Sequence, residues 1–85
     1  MIVFETEEKL MPHVIVKCVA GRTEEQKKAL AAKIAADVAE IFDCPENVVS
    51  VGIEDFAKED WKKVWDKDIS PKKGTLHKEP GYNLD

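Results

Sequence analysis

PHVIVKCVAGRTEEQKKALAAKIAADVAEIFDCPENVVSVGI, residues 12–53, is the stretch whose reading decides the fold. It opens on a run rich in valine and isoleucine, 13–19. Pro12 stands at its edge, where a missing N–H costs a strand least. Val14, Val16 and Cys18 fall on one side of that strand, and His13, Ile15, Lys17 and Val19 on the other. Ala20-Gly21-Arg22 turns the chain. Thr23, with Gln26 three positions on, makes a capping box, and Glu24 and Glu25 suit the positive end of a helix dipole. Leu30, Ile34, Val38 and Phe42 are each four apart. With Ala31, Ala35 and Ile41 they predict one apolar stripe, opposite Lys27, Lys28, Lys33, Asp37 and Glu40. Asp43-Cys44-Pro45 ends the helix. VVSVGI, 48–53, reads as a second strand, with Val49, Val51 and Ile53 on one face. Strand, helix and strand form a βαβ unit, so the strands are expected to be parallel and the crossover right-handed.

Working outward, Trp61, Val64, Trp65, Asp68 and Ile69 recur at helical spacing and predict a second, shorter helix over Lys58–Ile69, stopped by Ser70-Pro71. Gly74, Pro80-Gly81 and Tyr82 predict turns and an extended tail that docks against other parts of the fold. Upstream, residues 1–10 are polar and aperiodic after Phe4, and a second methionine, Met11, directly precedes Pro12. The expected organisation is an amino-terminal extension over 1–10, from a misassigned start or removed by processing, and a single domain over 11–85. The fold class is α/β, built as a two-layer α+β protomer. Two parallel strands cannot hide both faces and both edges of a sheet, so a second copy is expected to complete it.

Composition narrows the function. Thirteen Lys+Arg against seventeen Asp+Glu give a net charge of −4, the wrong sign for a nucleic-acid footprint. No apolar run approaches the roughly 18 residues that a membrane span needs. Met1–Leu10 carries three glutamates and no basic leader, so a cytoplasmic location is the expectation. Cys18 and Cys44 lie among apolar residues without CxxC spacing and read as buried free thiols. His13 and His77 share no ligand spacing with them, so no metal and no cofactor is expected.

Met11-Pro12-His13-Val14-Ile15-Val16-Lys17, followed by Gly21-Arg22-Thr23-Glu24-Glu25-Gln26-Lys27, resembles the opening of the 4-oxalocrotonate tautomerase superfamily. Trp61 and Trp65-Asp66, then Ile69 and Pro71, then Lys78-Glu79-Pro80-Gly81-Tyr82, are similar to its PptA-like branch. The resemblance covers residues 11 to about 82. It implies a β-α-β protomer that pairs its sheet with a second copy, a dimer rather than a hexamer. It also implies removal of the initiator methionine, so that proline becomes the first residue and the catalytic base. Keto–enol tautomerisation needs a base of near-neutral pKa that can return the proton elsewhere. A free amino terminus titrates at about 7.7–8.0, and burial or nearby cations lower that. An internal proline nitrogen is an amide and has no such basicity.

The resemblance assigns Pro12 as this base and Arg22 as the clamp on a substrate carboxylate, a contact that suits arginine. It implies a further arginine in the second strand to polarise the substrate carbonyl. Counted from Pro12, that position is Ser50. A neutral hydroxyl cannot replace the charge, so the substrate or its orientation is expected to differ from plain 4-oxalocrotonate. Ser50 is either a hydrogen-bond donor to substrate or a strand serine facing solvent. Trp61 or Phe56 is a candidate pocket wall; Trp65 reads as packing. His13 reads as a solvated or packed strand residue, with help in proton transfer its second reading, and Lys17 as a solvated strand residue. The expected function is a cofactor-free tautomerase acting on a small 2-oxo or enol acid, an aromatic one such as phenylpyruvate included. The alternative is a non-catalytic oligomeric module of the same fold, with Pro12 blocked by residues 1–11.

Overall fold

The computed structural model describes residues 11–85; the expected extension over 1–10 lies outside the described residues. Strand β1 runs His13–Val19, helix α1 Glu24–Phe42 and strand β2 Ser50–Phe56. The Ser50 N–H donates to the Pro12 carbonyl at 3.2 Å, and the Ala20 N–H donates to the Phe56 carbonyl at 2.8 Å. Both strands therefore advance in the same direction, which makes the two-stranded sheet parallel. The β-α-β arrangement is the one the sequence predicts. The chain divides into two compact units. Among the described residues, one is formed by 11–16 with Gly21–Glu54, the other by Lys17–Ala20 with Asp55–Asp85.

In the first unit, α1 begins as its sequence dictates. The Gln26 N–H donates to Thr23 Oγ1 at 3.0 Å, and the Thr23 N–H donates to Gln26 Oε1 at 2.9 Å. The helix closes at Asp43, whose φ of 58° is left-handed, a conformation aspartate tolerates better than most residues. Its partly covered positions include Lys27, Ala31, Ile34, Ala35 and Val38, whereas Leu30, Ile41 and Phe42 stay exposed, Ile41 by 76%. The predicted stripe is thus wider than the protomer covers, and its covered part is rotated to include Lys27. The reason is size. Strands lie about 4.8 Å apart, so two of them are narrower than a helix about 10 Å across with its side chains.

The second strand starts later and ends later than the 48–53 pattern suggests. A 3₁₀ turn over Glu46–Val48 uses the N–H groups of Val48 and Val49, which donate to Pro45 and Glu46, so neither is available to a sheet there. At the other end, pairing with Ala20 carries β2 through the polar Glu54-Asp55 to Phe56.

In the second unit, a helical run extends from Lys58 to Lys72. It is a 3₁₀ turn (Lys58–Asp60), helix α2 (Trp61–Val64), a π turn (Trp65–Ile69) and a further 3₁₀ turn (Ser70–Lys72). The Ser70 N–H reaches five residues back to the Trp65 carbonyl. Pro71, having no N–H, cannot extend an α ladder beyond this point. The predicted stripe holds: Trp61, Val64, Trp65, Asp68 and Ile69 are covered and the intervening residues are exposed. Trp65 is 0% exposed and Val64 5%, the two fully buried hydrophobic residues among those described.

The tail docks on Trp65. The Tyr82 ring lies 5.2 Å from it, centroid to centroid. The Asp85 carboxylate accepts from Trp65 Nε1 at 2.7 Å, from Ser70 Oγ at 2.8 Å and from Lys73 Nζ at 2.6 Å. Glu79 Oε2 accepts from the N–H groups of Gly74 and Leu76, both at 3.1 Å, and so closes the intervening loop. The Lys73 hydrogen bond, then those of Trp65 and Ser70, hold the Asp85 carboxyl far below its ordinary pKa of 3.8. A depressed folded-state pKa means that its contribution is complete above 3.8 and drains as pH falls below that value. Asp85→Asn is therefore expected to lower the urea midpoint of tryptophan fluorescence at pH 7 and to matter less at pH 3. An equal loss at both pH values would exclude the charge as its origin.

Two smaller expectations change. Lys17 is not a solvated strand lysine: its Nζ is paired with Asp68 Oδ2 at 2.5 Å and lies 5.9 Å from the Phe56 ring centroid. That hydrogen bond, reinforced by nearby lysines, holds the Asp68 carboxyl below its ordinary pKa. The thiols of Cys18 and Cys44 are free but half-buried rather than buried, and Cys18 Sγ donates to Asp55 Oδ1 at 3.5 Å.

Candidate active site

Pro12 is half-buried at the leading end of β1, and its carbonyl is tied to β2 by the Ser50 N–H. In a parallel ladder that bond sets Ser50 opposite His13, with both side chains on one face. His13 Nδ1 and Ser50 Oγ accordingly lie 2.6 Å apart. The structure thus brings Pro12, His13 and Ser50 together. Sequence reasoning treated His13 and Ser50 separately and missed their pairing, which a residue-by-residue alignment of the two strands could have found.

Arg22 stands in the same unit, at the corner between β1 and α1, and is exposed. Its position is set from both sides. Gly21 has a φ of +139°, a conformation L side chains rarely adopt, so the corner calls for glycine. Thr23, the residue after it, is held by the capping box. A guanidinium beside the positive end of a helix dipole is a favourable setting for an anion.

Trp61 belongs to the second unit. Its indole N–H donates to Tyr82 Oη at 3.2 Å, and its ring meets Phe56 edge to face at 6.5 Å. These contacts occupy Trp61 and Phe56 in aromatic packing. Among the described residues, no group of three His, Cys, Asp or Glu side chains is arranged to hold a metal ion, and no helix is long and apolar enough to cross a membrane.

What this arrangement can do chemically is narrow. A half-buried secondary amine would be a base, and the neighbouring imidazole and hydroxyl would be a hydrogen-bonding pair. The guanidinium would be an anion contact. The family model of the tautomerase enzymes matches residues 12–63. Tautomerase PptA of Enterobacter sp. (strain 638) is 45% identical over 76 residues, taking in 87% of this chain and all of that protein. Tautomerase PptA of Escherichia coli (strain SMS-3-5 / SECEC) is 35% identical over 75 residues with the same coverage. The crystal structure of an apo unfused 4-OT matches with a TM-score of 0.57 and 37% identity, over 58% of this chain and 80% of that one.

Proposed function

The chain belongs to the tautomerase family, and from that premise we propose that it works as a cofactor-free isomerase in a form that begins at Pro12. The Pro12 amine takes a proton from a small 2-oxo or enol acid, an aromatic one such as phenylpyruvate included, and returns it to another atom of the same molecule. The observation that carries this reading is where the family match opens: at Pro12 itself, half-buried at the edge of β1. As a chain terminus this nitrogen is a rigid secondary amine, and α-amino groups of model peptides titrate in the near-neutral range, at about 7.7–8.0. Inside a longer chain it is an amide and cannot act.

Arg22 holds the substrate carboxylate. Ser50 contributes through His13, its hydrogen-bond partner, rather than as a replacement for a charged group. The working form is a dimer. Helix α1 leaves Leu30, Ile41 and Phe42 exposed, an apolar surface that a second copy would cover.

Intact mass of protein made from its own gene, read beside phenylpyruvate ketonisation, tests the proposal. A chain from Pro12 to Asp85 with activity supports it. A mass for all 85 residues without activity favours the second reading, a non-catalytic oligomeric module in which residues 1–11 block the proline. Arg22→Ala is expected to raise KM for a carboxylate substrate by about 10- to 100-fold with a smaller change in kcat, the loss of one charge-assisted contact worth about 1.5–3 kcal/mol. An unchanged KM would remove Arg22 from substrate binding.

A further inference from the structure

His13 and Ser50 are 37 residues apart in sequence and exposed, yet their side chains meet at 2.6 Å. No packing forces this contact, because water could satisfy both groups. The strand register places the two side chains on one face, and the bond then fixes the orientation of the imidazole. A hydroxyl at this distance can accept from Nδ1–H or donate to Nδ1, and in the second arrangement the ring N–H is on Nε2. Among the described residues, Nε2 has no protein partner shown. His13 also follows Pro12 directly, and consecutive Cα atoms are about 3.8 Å apart. The ring is therefore rooted within the length of a small molecule from the Pro12 nitrogen.

A base next to an oriented N–H donor is the pair that enolisation requires. We propose that His13 is a second catalytic group, whose Nε2–H donates to the substrate oxygen that gains charge, and that Ser50 is the positioning residue that holds it in that tautomer. The inference rests on the reading of Pro12 as the base. In the ketonising direction, the Pro12 amine takes the enol hydroxyl proton. The electron pair left on oxygen becomes the C=O bond as the C=C pair takes the same proton back at carbon. The amine is regenerated and nothing is oxidised or reduced. Between the two transfers the oxygen carries negative charge, and His13 stabilises it by a hydrogen bond without giving up its proton.

The test uses protein whose mass shows a free Pro12, with phenylpyruvate as the probe. His13→Leu is expected to lower kcat by about 100-fold, the scale of one lost oxyanion donor, with KM changed by no more than about 3-fold. His13→Gln, whose amide N–H can replace Nε2–H, is expected to recover at least about 10-fold of that loss. Ser50→Ala is expected to lower kcat by about 10-fold, and His13→Leu combined with Ser50→Ala to be no worse than His13→Leu alone, because the hydroxyl acts through the ring. A His13→Leu enzyme within about 3-fold of the parent, or a Gln variant no better than Leu, overturns the proposal; loss of activity in Pro12→Ala alongside it would leave the base in place. A parent protein with free Pro12 and no activity overturns both readings together.

Discussion

In the chain that starts at Pro12, Pro12→Ala is expected to lower kcat/KM for phenylpyruvate ketonisation by about 100-fold, and the form with residues 1–11 still attached to lose about 10,000-fold. These bracket the usual contribution of a positioned general base. The two differ for a chemical reason. Alanine leaves a primary amine of near-neutral pKa, about 7.7–8.0, so a base survives. It loses the ring that fixes the nitrogen lone pair relative to β1. The attached form converts the same nitrogen to an amide, and no base of that kind remains. The parent activity should fall as pH drops through the amine pKa, because only the neutral amine accepts a proton. Stopped assays of both forms from pH 5 to 9 read all three effects. An attached form as active as the free one would end the proline mechanism.

Trp65→Ala is expected to cost about 3–5 kcal/mol, the largest stability loss of any single substitution in the second unit. Trp65 is fully buried, so truncation leaves a cavity. It also strips the tail of its anchor: the Tyr82 ring loses its aromatic neighbour and the Asp85 carboxylate loses the indole N–H. Trp65→Phe keeps most of the volume and the ring contact, and should lose much less. Urea unfolding followed through Trp61, which both variants retain in the same unit, gives the comparison. A loss below about 1 kcal/mol for the alanine variant would show that the tail is not held through Trp65.

Much of this architecture is legible in the chain because it rests on local rules. The capping box at Thr23 and Gln26, the chain-reversing Gly21 and the helical spacing of Trp61, Val64, Trp65, Asp68 and Ile69 all appear where short-range chemistry places them. The limits of β2 are less legible. The turn over Glu46–Val48 competes locally for the N–H groups that the valine run otherwise offers to a sheet, and the far end depends on Ala20. For the site, Pro12 and Arg22 stand out by motif and resemblance, whereas His13 and Ser50 carry no local signal of their partnership.

By itself, then, the sequence determined the order strand, helix, strand, the caps that begin and end α1, and the residue at which the family match opens. Only the tertiary structure decided that His13 meets Ser50, that Lys17 is drawn to Asp68 and that Asp85 closes on Trp65. Periodicity reports which side of an element is apolar. Which residues face one another across 20 to 51 positions depends on strand register and on how the chain returns, and neither is written into any short window of residues.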